Sequence, residues 1–344
     1  MMGGLLVLSI LIGWVLTGAV RFLSAKYHVL DVPNDRSAHR SPTPTLGGVA
    51  LVIGFWTVTG IHVLMHAPLP ENMGALLVAS GMLCLLVRDE FREMGRLEKL
   101  GVQILAAFWM VKGGVLLEAI TVGDETLVFG RFNFVVTVFV LVLLQNLYNF
   151  MDGLDGFAAM EGVLVSGFIA NLFWSGTPAM ASVFLGIAGV TLGFWFWNRP
   201  PARIFMGDLG AHFLPLAFGY AAISGESSGA VPFWLVILPL SAFLFDAIYT
   251  LMRRLIRGEN ITRAHRFHLY QRLQEMGWSP GWIQLIYGVL TVALGVCAGL
   301  FLNGLGRVGS GLLIGTGLTV AMGTLMFERA YSRDRSERGN SHGF

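Results

Sequence analysis

Stretches of roughly 16 to 22 apolar residues recur from one end of this chain to the other. Few folds accept that pattern. Inside a bilayer no water is available to the backbone, so a spanning segment has to satisfy its own peptide groups, as a helix does. The windows fall near residues 3–22, 46–66, 73–87, 100–117, 133–149, 157–174, 179–198, 210–224, 230–252, 282–303 and 308–327. The third and eighth are short enough to be tilted or partly re-entrant. Only 13% of the 344 residues are charged and 55% are hydrophobic, against about 25% charged in an ordinary soluble protein. The expectation is an all-α polytopic membrane protein of about ten or eleven transmembrane helices. Residues 1–328 form one integral membrane catalytic domain, and 329–344 read as a disordered, basic cytoplasmic tail. The first window has no small-residue cleavage site and is read as a retained helix.

Basic residues are distributed unevenly between alternate loops. One set holds Lys26, Arg36, Arg40, Arg88, Arg92, Arg96, Lys99, Arg199, Arg203 and a run from Arg253 to Arg272; the other holds Arg131 and Arg307. Positive charge marks the cytoplasmic side. With an odd number of spans, the N-terminus is periplasmic and the C-terminus cytoplasmic. The outer loops are short except for 117–132, in which residues 120–129 read as a β-hairpin on the outer surface. Cys84 and Cys297 fall in apolar windows and imply no disulfide.

Polar chemistry gathers on the inner loops. The most informative stretch is Asn146-Leu-Tyr-Asn149-Phe-Met-Asp152-Gly-Leu-Asp155-Gly156. Asn146, Asn149, Asp152 and Asp155 recur every third residue, so on a helical turn they share one face. Acids at a bilayer surface are costly and usually functional, and glycines among them let the backbone approach a ligand. Arg88-Asp89-Glu90 ends another apolar window and suits a Mg²⁺ ion or a proton acceptor. Phe205-Met206-Gly207-Asp208 stands at the entry to the eighth window, with Asp208 a candidate metal ligand or helix cap and Phe205 able to stack on a base. Two further clusters read as anion sites. Residues 31–48 end in Gly47-Gly48 at a helix start. Arg263-Ala-His265-Arg266-Phe-His268-Leu-Tyr270-Gln271-Arg272 suits a diphosphate clamp better than a zinc site. Asp246, inside the ninth window, is expected to partner one of the nearby arginines.

Together these motifs, from about residue 31 to residue 275, resemble the polyprenyl-phosphate N-acetylhexosamine-1-phosphate transferases, glycosyltransferase family 4. Asn-x-x-Asn-Phe-Met-Asp-Gly-Leu-Asp-Gly and Ile-Phe-Met-Gly-Asp are the specific elements. The resemblance implies transfer of a sugar 1-phosphate from a UDP-N-acetylhexosamine to polyprenyl (undecaprenyl) phosphate, with release of UMP and a need for Mg²⁺, for which Mn²⁺ can substitute. It implies Asp89, Glu90, Asp208, His265 and His268 as catalytic residues, and Asn146, Asn149, Asp152, Asp155, Phe205 and Arg266 as substrate-binding residues. Asp208 and Asp152 are the implied metal ligands. The family's usual Asp-Asp is Asp89-Glu90 here, and His265-Arg-Phe-His268 replaces three consecutive histidines. The latter departure points to the branch that begins O-antigen-like surface polysaccharides in the bacterial inner membrane. The implied partners are the two substrates and the lipid bilayer, with a homodimer admitted by analogy and no nucleic acid. The competing class is a transporter or flippase of lipid-linked or nucleotide-activated sugars. It would carry its polar groups toward the membrane midplane, whereas here they crowd one face.

Overall fold

The computed structural model describes residues 2–33, 41–259 and 267–341. The described residues form a multi-pass helical bundle with two small antiparallel ribbons. The bundle helices are α1 (Met2–Lys26), α2 (Gly47–Leu64), α3 (Met73–Leu83), α4 (Arg96–Lys112), α5 (Asn133–Asn149) and α6 (Phe157–Leu172). They continue with α7 (Pro178–Asn198), α8 (Gly207–Ser227), α9 (Phe233–Ile237), α10 (Ser241–Ile256), a short α11 (Leu269–Glu275), α12 (Pro280–Leu302) and α13 (Gly306–Ser341). Every expected apolar window coincides with a helical rod. Seven stretches are long and apolar enough to cross a membrane by length and composition: α1, α2, residues 130–149, α7, residues 233–256, α12 and residues 306–333.

Four windows end differently from expectation. The third is finished by a 3₁₀ turn, Cys84–Glu90, which carries the chain to its acids. The eighth is not short, because α8 runs 21 residues. The ninth is broken into α9 and α10 by a 3₁₀ turn at Leu238–Leu240, where Pro239 removes a backbone donor. The last, expected over 308–327, is part of a longer helix. Helix α13 continues past the expected start of the tail, and Tyr331 on it is buried and donates to Glu275 Oε2 at 2.8 Å.

Helix α8 is the pillar of the bundle; from Leu209 to Ile223 its side chains are all buried. Its neighbours approach closely because small residues face it. Gly48 of α2 lies against the backbone of Leu209 and Gly210, and Gly219 lies against Leu141 of α5. Helices α1 and α7 use the same device, with Gly13 on the backbone of Val190 and Gly193 on the backbone of Ile10, Gly13 and Trp14.

One end of the bundle holds the hairpin β3 (Ala119–Val122) and β4 (Glu125–Val128), in register Ala119↔Val128 to Val122↔Glu125. Glu226, at the end of α8, accepts from Thr121 N at 2.8 Å and Phe233 N at 2.6 Å and fixes the hairpin there. The opposite end holds the inner loops and a second ribbon, β1 (Leu30–Asp31) with β2 (Thr43–Pro44), which the sequence reading did not anticipate.

Candidate active site

The first turn of α8 and the 3₁₀ turn after α3 bring two carboxylates to one cation. Lys99 Nζ, in the first turn and a half of α4, lies 2.7 Å from Asp89 Oδ2 and 2.8 Å from Asp208 Oδ2. Asp89 is aimed by its second oxygen, which accepts from Met94 N at 2.6 Å. Asp208 is held from below by a buried relay. His212, one helical turn on, donates from Nδ1 to the Asp208 carbonyl at 2.6 Å. Its Nε2 then accepts from the Gln103 amide at 2.8 Å, and Gln103 Oε1 accepts from Asn146 Nδ2 at 2.6 Å. A carbonyl can only accept, so the ring is fixed as the Nδ1–H tautomer with Nε2 as acceptor. The relay runs α8–α4–α5 and ties the start of α8 to the end of α5.

Glu90 lies beside Gly207, the residue before Asp208. Its carboxylate is bonded to Thr45 and lies against Gly207. Gly207 has φ +68°, and a Cβ there would sit 2.5 Å from Glu90 Oε1, so no other residue fits this turn without strain. Burial, with Asp208, Asp89 and Asp31 nearby, pushes the Glu90 carboxyl up to about 7 despite the Thr45 bond. Asp152 is raised to about 7 as well, first by desolvation and then by Asp208 and Asp155. Asp152 is only partly exposed. Glu90 and Asp152, both pushed toward neutrality, crowd the pair of acids that Lys99 bridges, so carboxyls outnumber cations here and the centre would gain from a further one.

The expected polar stripe is not one helix face. Helix α5 ends at Asn149, and Asp152 and Asp155 fall on the following turn. Asn146 commits its amide nitrogen to Gln103 and to Val142 O (2.8 Å), and so serves the relay. Asn149 is half-buried at the helix end, and its carbonyl accepts from Asp152 N at 3.2 Å. Asp155 holds a loop: Oδ2 accepts from Ala202 N at 2.8 Å, and its carbonyl accepts from Gln284 at 2.7 Å. Asn198 reinforces that junction by accepting from Gly156 N and donating to Ile204 O. Phe205 is half-buried in this loop, its amide on Pro44 O (2.8 Å) and its carbonyl on Gly47 N (2.9 Å).

Three expectations are corrected. The helix start at Gly47-Gly48 is not an open anion site, because Gly47 N and Gly48 N donate to the carbonyls of Phe205 and Met206. Among the described residues Asp246 is taken up by backbone amides and a tyrosine and not by an arginine. It accepts from Leu269 N (2.7 Å), Tyr270 N (3.1 Å) and Tyr287 Oη (2.7 Å), anchoring the start of α11. Arg272 is not part of a phosphate clamp; it is fully buried in a bidentate pair with Glu328. His268 is buried at the start of α11, 3.5 Å from Asp246 and near Phe150. His265 and Arg266, with Asn34–Arg40 of the first inner loop, lie outside the described residues. Lys99, Gln103 and His212 were missed. None belongs to a polar cluster that stands out along the chain, and only the packing of α4 against α3, α5 and α8 brings them together.

The donor set also bears on a metal. Among the described residues no group of three or more His, Cys, Asp or Glu side chains is drawn tightly enough to hold an ion unaided. Two oxygen-donating carboxylates sharing one cation, Asp89 and Asp208, suit Mg²⁺. That ion typically takes one or two carboxylates and completes its shell with water and substrate phosphates.

The family model described as "Glycosyl transferase family 4" matches residues 72–226, the segment that carries Asp89, Lys99, Asp152, Asp155 and Asp208. A probable undecaprenyl-phosphate N-acetylglucosaminyl 1-phosphate transferase of Bacillus subtilis is 30% identical over 280 residues, covering 79% of this chain and 77% of the relative. The chain belongs to glycosyl transferase family 4. A decaprenyl-phosphate N-acetylglucosaminephosphotransferase of Mycobacterium tuberculosis is also 30% identical, over 85% of this chain and 81% of its own. A phospho-N-acetylmuramoyl-pentapeptide-transferase of Moorella thermoacetica is 27% identical over 86% of this chain and 95% of its own. Within family 4 the acids at 89, 152, 155 and 208 therefore lie inside the shared segment, and helices α9 to α13 lie outside it.

Proposed function

We propose that this protein transfers N-acetylhexosamine 1-phosphate from a UDP-sugar to a polyprenyl phosphate such as undecaprenyl phosphate, with Mg²⁺ as cofactor and UMP as the second product. N-acetylglucosamine is the favoured sugar, since two of the relatives are named for it. The observation that carries the reading is the convergence of Asp89 and Asp208, from separate helix ends, on one cation.

The chemistry follows from charge. Both substrates are phosphate anions, and their approach is repulsive unless fixed cations offset it. An oxygen of the lipid phosphate attacks the β-phosphorus of the sugar nucleotide; the bond from that phosphorus to the bridging oxygen breaks, and UMP leaves with the electron pair. The acceptor is largely ionised near pH 7, so proton removal contributes little to this step. Bound Mg²⁺ would neutralise the diphosphate and polarise the β-phosphorus. Asp208 and Asp89 would hold it, and Asp152 faces the same centre. Lys99 would exchange its carboxylate partners for phosphate oxygens once the metal occupies the acids. Asp155 and Asn198 hold the 199–206 loop, which keeps Phe205 beside the nucleotide. His268 would act from α11.

The site is assigned to the cytoplasmic face of a bacterial inner membrane, by the positive-inside rule, with the N-terminus periplasmic and the C-terminus cytoplasmic. The product is a lipid-linked sugar of the kind that begins an O-antigen-like surface polysaccharide. The test is direct. Purified protein with UDP-N-acetylglucosamine, undecaprenyl phosphate and Mg²⁺ should release UMP and form a lipid-linked diphospho-sugar. No UMP release from any of a panel of UDP-N-acetylhexosamines would refute the reading.

A further inference from the structure

We propose that Glu328, on the last helix, is a positioning residue for the catalytic end, acting through Arg272 and Tyr270 on the turn that carries Asp152. The inference rests on the functional reading above, and it concerns residues outside the segment shared with the family model.

Helix α11 has seven residues, too few to persist alone. It is held at three points. Asp246 takes its first amides. Tyr270, in its first turn, donates to the Phe150 carbonyl at 3.1 Å and packs on Gly153 so closely that a Cβ there would overlap the phenol. Phe150 and Gly153 bracket Asp152, so any shift of Tyr270 is felt by the turn that presents this acid.

The third point is the latch. Arg272 has no exposed surface, and its guanidinium meets Glu328 with two bonds, Nη1 to Oε1 at 2.6 Å and Nη2 to Oε2 at 2.9 Å. Glu328 also takes Tyr249 Oη at 2.9 Å and Arg253 Nη2 at 3.2 Å, both from α10. Tyr331 and Phe327 cover Arg272, 4.0 and 4.8 Å from its guanidinium carbon to the ring centres. A fork-on-fork pair fixes orientation as well as distance. A buried guanidinium without its carboxylate has to move toward water, and it would take α11 with it. The connection is contiguous: α13 Glu328, α11 Arg272, α11 Tyr270, the turn at Phe150 and Gly153, then Asp152.

Turnover of purified protein in detergent tests this, with UDP-N-acetylglucosamine and undecaprenyl phosphate as substrates. The wild-type protein comes first, because absence of UMP release there overturns the functional reading, whereas the inference is judged only where the wild type works. Glu328→Gln and Tyr270→Phe should each lower kcat per folded molecule, by up to the order of 10²-fold expected of a misplaced reacting group. If Glu328 acts through Tyr270, the double variant turns over no more slowly than the slower single variant. Losses that multiply, or a Glu328→Gln protein with a lowered melting temperature and wild-type kcat, would overturn the proposal. Should Glu328→Gln not fold, Glu328→Asp, which keeps the charge, and Tyr270→Phe carry the test, and wild-type kcat in Tyr270→Phe overturns it equally.

Discussion

Asp89 and Asp208 each present one carboxylate oxygen to the same ammonium, Lys99 Nζ, at 2.7 and 2.8 Å. They come from the ends of different helices, so this convergence is a property of the packing of α3, α4 and α8. It also sets what should happen when any member is removed.

Asp208→Asn and Asp89→Asn should each abolish detectable UMP release while leaving a folded, monodisperse protein. Lys99→Met should retain folding but lose about 10²-fold or more in kcat, the scale seen when one charge-stabilising donor is removed from a reacting centre. Near-normal turnover in Asp208→Asn would remove it as a metal ligand.

Chelation should act as a switch. Excess EDTA should stop turnover, and Mg²⁺ should restore it fully, with Mn²⁺ a partial substitute, because the donors are hard oxygens that meet the ion together with substrate phosphates. Isothermal titration should show weak Mg²⁺ binding alone and tighter binding with UDP-sugar present. Full activity in EDTA would contradict the proposed cofactor.

The acids should give the metal-free protein a distinctive pH dependence. Glu90 and Asp152 are both raised to about 7 in the folded protein, above their ordinary carboxylate values. Between about pH 4 and 7 the folded state therefore binds more protons than the unfolded state, and stability falls as pH rises through that window. Asp89, Asp208, Asp31 and Asp155 are the neighbouring charges responsible after burial. The melting temperature in EDTA should drop from pH 5 to pH 8, and Mg²⁺ should lessen the drop at pH 8. A flat or rising profile would contradict this account.

Asp246→Ala should be among the most damaging single changes outside the reacting centre. It strips the buried partner from Leu269 N, Tyr270 N and the Tyr287 hydroxyl. Each orphaned group costs about 1–3 kcal/mol. Thermal unfolding in detergent should report a loss of several degrees or failure to fold.

Gly48→Ala should destabilise by about 1–3 kcal/mol, the usual cost of overpacking. The added methyl would meet the backbone of Gly210 and Leu209, which cannot swing aside. Gly60→Ala, on the same helix with nothing within 4 Å, is the matched control and should melt like wild type.

Much of the architecture was legible because the bilayer leaves the backbone few choices: each long apolar window became a helix. The β-hairpin was legible for a similar reason, since Gly123-Asp124 separates two runs of strand-forming residues and the observed turn falls there. The acids were legible as important because charge at a membrane surface is expensive. Their individual tasks were not. Asp155 and Asp208 look alike in sequence, each an Asp beside glycine, yet Asp155 is bonded to the backbone of Ala202 and Asp208 to the ammonium of Lys99. From sequence, Asp246 reads as a partner for one of the nearby arginines and Arg272 as part of a diphosphate clamp. Their true partners, backbone amides for one and Glu328 for the other, come from different parts of the chain.

From the sequence alone came the placement and order of the apolar helical windows and the crowding of acids on one side, because hydropathy and charge cost are summed locally along the chain. Only the tertiary structure decided which acid meets which cation. Asp89, Lys99 and Asp208 come from the 3₁₀ turn after α3, the start of α4 and the start of α8, three places far apart in the chain. The physical reason is that a hydrogen bond or ion pair is decided over about three ångströms, a distance that side chains on separate helices reach only once the bundle has closed.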